Sequence, residues 1–408
     1  MLANEQAPAV PGSGPQKNLI CTWPMSSFHG WGVYGLNLAL QWANDPDILP
    51  LFPYGIEKSQ LKLTPKETQK LLTIISHSKD LQERCSKKTT SSLPHKTLLL
   101  QALGNQLVFA QKDAEKLRLP EHQELGVVFL ENTKLNAAAL ERAKRWPLLI
   151  AGSTWNQSLL ESSQQAPVQT VFQGVDTKIF YPRSKQEQKR KHFRIFSGGK
   201  LEYRKGQDLV LLAFRHFAQR HADAQLVTAW QSPWPHLGRS LETNPEIAAL
   251  RFKNDQTLNV EAWAEANGIP GEQIVDIGRI PNREMGEVMR NIDVALFPNR
   301  AEGGTNLVAM ECMASGVPVI LSENTGHLDL AKPECVFGLK TQGPVNYGEM
   351  GTEGWGESSV DEMIEALEKV YQDRDAAWAL GQKAHRMLQD WSWQQQSSIL
   401  KQTIMPYL

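Results

Sequence analysis

The chain has 408 residues, with 43 lysines and arginines against 44 aspartates and glutamates and a formal net charge of −1. That length, with 41% hydrophobic residues, is enough to bury two cores. The near-neutral charge gives no general drive toward nucleic acid, and no apolar run reaches membrane-spanning length. The cysteines Cys21, Cys85, Cys312 and Cys335 show neither disulfide nor metal-ligand spacing and read as reduced, buried thiols.

Residues 1–18 are rich in Ala, Pro, Gly and Gln without a signal-peptide core, so a disordered tail and a cytoplasmic location are expected. Residues 19–22 (LICT) read as a strand, 23–35 (WPMSSFHGWGVYG) as a glycine-aromatic loop, and about 36–43 as a helix. Gly30, Gly32 and Gly35 let the backbone approach a ligand, or else let Trp31 and Tyr34 turn inward. His29 is a candidate partner for a hydroxyl or phosphate. Glu131 ends an apolar strand (127–130, VVFL), and strand C-terminal ends face the ligand crevice in α/β sheets. It reads as an acceptor-binding or catalytic carboxylate, or as a loop charge. The basic stretch 183–194 reads as an exposed linker, with contact to anionic lipid as an open alternative.

Residues 193–196 (FRIF) read as a strand and 197–206 (SGGKLEYRKG) as a glycine-rich turn leading to a helix. A strand with a turn follows at 274–280, a helix at 281–290 and a strand at 292–298. Glu302 precedes the Gly303-Gly304 turn, Thr305 or Asn306 is the N-cap of an apolar helix, and Gly316-Val317-Pro318 ends that helix before a strand at 319–322. Strand, glycine turn and helix aim free N–H groups and the positive end of a helix dipole at one point, where a diphosphate fits. Glu302 can accept from sugar hydroxyls and Glu311 from the two hydroxyls of a ribose; alternatively both are solvated surface charges. His327 reads as loop structure. Residues 360–408 are helical in character, with Trp391 and Trp393 as packing residues.

Residues 298–319 resemble the signature of glycosyltransferase family 4, in which Pro-Ser and Glu-Gly-Phe-Gly precede a second glutamate and Ala-Met-Ala-x-Gly-x-Pro-Val. Two departures stand out. Eight residues lie between Glu302 and Glu311 where the family has seven, and Lys200 replaces the arginine of the family's Gly-Arg-Leu-x-x-x-Lys-Gly element. The runs 153–155 and 174–182, ending in Pro182, resemble further family elements.

The resemblance implies an α/β protein of GT-B fold, two facing Rossmann-like domains with a cleft between them. It implies an acceptor domain over 19–182, a linker at 183–192, a donor domain over 193–385 and a C-terminal helix (386–408) crossing back. The implied activity is that of a retaining, metal-independent, hexosyltransferase-like enzyme without a cofactor. It would use a nucleoside-diphosphate sugar and an unknown glycan, lipid or protein acceptor, in the cytoplasm or at the inner membrane face, in polysaccharide or glycoconjugate biosynthesis. Lys200 and Lys205 would meet the diphosphate and Glu302 the sugar. Gly199, Gly303, Gly304, Thr305, Asn306 and Leu307 would line the donor, Glu311 would take the ribose, and Arg279 and Ile280 the base. Gly32 would face the donor across the cleft, with Glu131 and His29 as further catalytic candidates. A nucleotide-sugar epimerase and a non-catalytic sugar-nucleotide-binding scaffold are the alternatives.

Overall fold

A computed structural model describes residues 16–54, 56–86, 97–111, 117, 123–163, 165–184 and 191–408; of residues 84–86 only the backbone is described. The first half alternates β1 (Lys17–Cys21), α1 (Gly30–Trp42), β2 (Ile48–Leu51), α2 (Pro65–Ser86), β3 (Thr97–Leu103), β4 (Glu124–Val128), α3 (Ala137–Ala143), β5 (Leu149–Ala151), α4 (Thr154–Glu161) and β6 (Val168–Thr170). The second runs β7 (Phe193–Gly198), α5 (Gln207–Ala218), β8 (Ala224–Ala229), α6 (Val260–Ala266), β9 (Ile274–Asp276), α7 (Asn282–Arg290), β10 (Val294–Phe297), α8 (Leu307–Ala314), β11 (Val319–Ser322) and β12 (Phe337–Leu339). A short hairpin, β13 (Gln342–Gly343) with β14 (Glu357–Ser358), precedes α9 (Val360–Gln372), α10 (Arg374–Gln389) and α11 (Trp393–Ile404).

The strands form two six-stranded sheets of order β2-β1-β3-β4-β5-β6 and β12-β11-β10-β7-β8-β9, parallel throughout. Parallel sheets need both faces covered, which explains why β1, β3, β10 and β11 read as continuous apolar runs rather than alternating ones. Among the described residues no helix is long and apolar enough to cross a membrane.

Four sequence expectations shift. β1 begins at Lys17, inside the segment read as tail, while residues 1–15 lie outside the described residues. Of the basic stretch, 185–190 is likewise outside them, and Arg183 is no exposed linker charge, since it pairs with buried Asp293 at 3.0 Å. α1 begins at Gly30, six residues before the expected start, so Gly30, Gly32 and Gly35 are helical. Low glycine propensity argues against a helix there. Tertiary packing overrides it, because a β-carbon at Gly32 would collide with Ser26, and one at Gly35 would lie 2.5 Å from the Pro24 carbonyl oxygen. These two glycines serve the close seating of loop 24–26 on the helix.

The C-terminal segment is not one helix from 386. Residues 386–389 finish α10, the chain turns at 390–392, and α11 starts at Trp393 under an N-cap from Ser392. The turn docks on the first half: Val175 N–H donates to Trp391 O at 2.9 Å and Trp393 N–H to Val175 O at 3.1 Å. Trp393, buried, stacks on Tyr34, and Trp391 stacks on Phe172. Gly174 allows this approach, because a β-carbon there would lie 2.6 Å from the backbone nitrogen of Trp393. Gly174→Ala is expected to cost about 1–3 kcal/mol through overpacking, read as a lower denaturation midpoint at unchanged m-value.

Candidate functional site

β7 and β10 are adjacent parallel strands with Ile195 beside Val294 and Phe196 beside Ala295. Their C-terminal ends therefore lie side by side, and the turns that follow, 199–206 and 299–306, face each other. Backbone bonds lock the two turns, with Arg300 N–H donating to Arg204 O at 2.7 Å and Ala301 N–H to the same oxygen at 3.2 Å. Gly206 is required twice over: its φ is +69°, and a β-carbon would strike the Pro298 carbonyl oxygen. Asn306 takes the N-cap of α8 in left-handed conformation (φ 69°), its side chain accepting from Ala309 N–H at 3.4 Å.

The turns bring Lys205 onto Glu302 and place Asn299 Nδ2 on the same carboxylate. Glu302 is 5% exposed, so it is no solvated loop charge. Burial pushes its pKa up, but Lys205 and Arg204 outweigh that and hold it at about 2. Arg204 was not singled out from the sequence, yet it gathers the cluster. Its Nη1 lies 3.1 Å from Glu302 Oε2, its Nη2 3.2 Å from Glu131 Oε1 and its Nε 2.6 Å from Glu202 Oε1. Glu131, in the loop after β4, thus reaches across from the first half as an ion-pair partner. Lys200 is more exposed, at 37%, and pairs with Glu202 at 3.1 Å. The signal for Arg204 was its place beside Lys205 in the motif; nothing in periodicity marks it.

Gly303 and Gly304 do more than turn the chain. A β-carbon at Gly303 would lie 2.6 Å from Leu130 O, and one at Gly304 2.8 Å from the Phe129 ring, so both let the first half close against this turn. Ser153 Oγ donates to Gly303 O at 2.7 Å. Thr305 is buried with its hydroxyl on Met310 Sδ at 2.9 Å, and Leu307 opens α8. Gly199 adopts φ +116°, and its carbonyl accepts from Gln207 Nε2 at 3.4 Å. His327 is fully buried, with Nε2 3.0 Å from Asn306 Nδ2 and Nδ1 2.9 Å from Ser322 Oγ. Burial lowers its pKa to about 4, leaving a neutral ring that fixes the α8 N-cap.

His29 and Arg279 belong to a second group, apart from the carboxylate cluster. Arg279 Nη2 lies 2.9 Å from His29 Nε2 and donates to Gln60 Oε1 at 2.5 Å, with its guanidinium 4.5 Å from the Phe28 ring centroid. Burial and the Arg279 charge lower the His29 pKa to about 4, so its ring is a neutral acceptor. Next along, Ile280 is half-buried, and Asn282 N–H donates to Ser27 O at 2.7 Å. The Asn282 side chain donates to Glu311 Oε1 at 2.5 Å.

Glu311 is 3% exposed rather than a surface helix charge. Burial raises its pKa to about 8, opposed only in part by Asn282. A folded-state pKa above the ordinary 4.5 stabilises the fold at low pH, and that stabilisation is lost as pH rises through about 8. Glu311→Gln is therefore expected to match wild type in thermal stability near pH 4 and to exceed it increasingly between pH 4.5 and 8.

The family model described as "Glycosyl transferases group 1" matches residues 180–387. No curated protein matches the sequence. Among solved structures, sucrose-phosphate synthase from Thermosynechococcus elongatus aligns at 14% identity with a TM-score of 0.65, covering 96% of this chain and 99% of its own. A glycosyltransferase from Rickettsia africae aligns at 10% identity and TM-score 0.61, covering 96% and 98%. Anabaena HepE, crystallised with UDP-glucose, aligns at 13% identity and TM-score 0.60, covering 96% and 100%. The two parallel sheets match these proteins in fold, the GT-B arrangement.

Proposed function

Because the chain belongs to the family of glycosyl transferases group 1, we propose that it is a retaining, metal-independent glycosyltransferase of the family 4 type. It moves a sugar from a nucleoside-diphosphate sugar to a glycan, lipid or protein acceptor. The observation that carries this is the juxtaposition of the 199–206 and 299–306 turns at the ends of β7 and β10, with Lys205 on Glu302 and buried Glu311 one helix turn beyond the α8 N-terminus. The UDP-glucose held by HepE, a protein of the same fold, supports a nucleotide-sugar donor.

In this reading residues 193–385 hold the donor and 19–182 the acceptor. The diphosphate lies over the two turns, where Lys200, Lys205 and the α8 N-terminus stabilise the charge that grows on it as the glycosidic bond breaks. Gly199, Gly303, Gly304, Thr305, Asn306 and Leu307 line it through their backbone. Glu302, held ionised, accepts from sugar hydroxyls; Glu311 takes the ribose hydroxyls, and the backbone at Arg279 and Ile280 meets the base. The acceptor attacks from the face that the departing diphosphate leaves, and a donor phosphate oxygen takes its proton. Glu131 and the first turn of α1, with Gly32 and His29, face the acceptor side. Closure of the two halves keeps water from the sugar. The enzyme works in the cytoplasm on polysaccharide or glycoconjugate precursors, with contact at the inner membrane face where the acceptor is a lipid.

Thermal-shift assays with a panel of nucleoside diphosphates and nucleotide sugars test the donor site. A ligand at a hundred times its dissociation constant stabilises by about 2.7 kcal/mol. A base-selective rise in Tm is expected for wild type, reduced in Lys205→Ala and Glu311→Ala; no shift with any nucleotide removes the donor assignment. With the selected donor, conversion to an isomeric nucleotide sugar without acceptor indicates epimerisation instead, and binding without transfer or hydrolysis indicates a scaffold.

A further inference from the structure

The two lysines and Arg204 are held differently. Lys200 pairs with Glu202, and Lys205 with Glu302. Arg204 meets Glu131, Glu202 and Glu302 together, one from the first half of the chain and two from the second. It is also anchored to the facing turn, because its carbonyl accepts from Arg300 and Ala301 N–H and its Nη1 donates to Ala301 O at 3.3 Å. A guanidinium so clamped is a fixed fork, whereas a lysine is a point charge on a flexible stem.

This difference resolves a conflict in the site. The lysines that the diphosphate needs are already engaged by carboxylates, and a buried carboxylate stripped of its cation is costly. If Lys205 leaves Glu302 for a phosphate oxygen, Arg204 and Asn299 remain on that carboxylate. If Lys200 leaves Glu202, Arg204 remains there too.

We propose that Arg204 is a positioning residue: it stays on Glu131, Glu202 and Glu302 while Lys200 and Lys205 exchange their carboxylates for the donor's phosphate oxygens. Through Glu131 it couples that exchange to closure of the two halves. The inference rests on the donor-site reading above and goes beyond it, since the family element assigns no role to the position of Arg204.

The test uses the nucleoside diphosphate that shifts the wild-type Tm and the release of that diphosphate from its nucleotide sugar. Arg204→Lys keeps the charge and loses the fork. It is expected to bind the diphosphate within about 3-fold of wild type while kcat falls by about 30-fold or more at little-changed KM. Glu131→Gln, which unloads one arm of the fork, is expected to lower kcat in the same direction by less. A tenfold or greater loss of diphosphate affinity in Arg204→Lys would make Arg204 a phosphate ligand and overturn the proposal; an unchanged kcat would reduce it to a structural stitch and overturn it equally.

A double-mutant cycle of Arg204→Lys with Glu131→Gln, read by thermal unfolding without nucleotide, supplies an independent arm. The double variant is expected to lose less Tm than the sum of the single losses, and additive losses overturn the coupling even where nucleotide binds. Failure of every nucleotide to bind wild type overturns the donor reading and this inference with it. A normal wild-type shift combined with additive losses overturns the inference alone.

Discussion

The second half of the molecule is organised around a buried ion pair, Arg300 with Asp208. The guanidinium is 1% exposed and the carboxylate fully buried, joined in a two-pronged contact with bonds of 2.8 and 2.6 Å. Arg300 also donates to Glu357 and to Tyr203 O, and its guanidinium lies 4.0 Å from the Tyr203 ring centroid. One side chain thereby ties the turn after β10 to the first turn of α5, to the turn after β7 and to the β14 hairpin. Breaking a buried pair by removing one member leaves an uncompensated charge, at a cost of about 3–5 kcal/mol. The geometry of both candidate donor turns depends on it.

On that frame the two signature glutamates experience opposite environments. Both are buried, but Glu302 has Lys205 and Arg204 within contact while Glu311 has one neutral amide. Their pKa values move apart, to about 2 and about 8. Glu302 is thus held ionised by partners within the chain. Glu311, its pKa raised by burial, has the Asn282 amide as its side-chain donor.

The halves of the chain meet through polar contacts as well as packing. Thr154 at the start of α4 donates through N–H and hydroxyl to Asp329, at 2.9 and 2.6 Å. Trp355 Nε1 donates to Glu131 O at 3.0 Å, and Arg283 pairs with Glu67 at 2.8 Å. Such contacts are exchangeable with water at modest net cost. The Trp391–Trp393 crossover adds ring stacking and two backbone hydrogen bonds to Val175, a further tether beside these contacts.

Local chemistry was legible wherever one residue type has one physical use. The apolar run at β11 reads correctly to its bounds, Asn306 of the two candidates caps α8, Glu302 and Lys205 fall on turns after strands, and Glu311 lies inside the helix that follows. The start of α1 was not legible, because glycine opposes a helix locally while the space left by Ser26 and Pro24 demands it. Nor was the C-terminal turn, whose cause is a contact with Val175 more than two hundred residues earlier. By itself the sequence determined the strand, turn and helix segments around 193–206 and 274–322 and the acids and bases available at the turns. Only the tertiary structure decided which carboxylate met which cation, because pairing and burial depend on groups distant in the chain that no local pattern relates. Arg204 joining Glu131 to Glu302 is such a case.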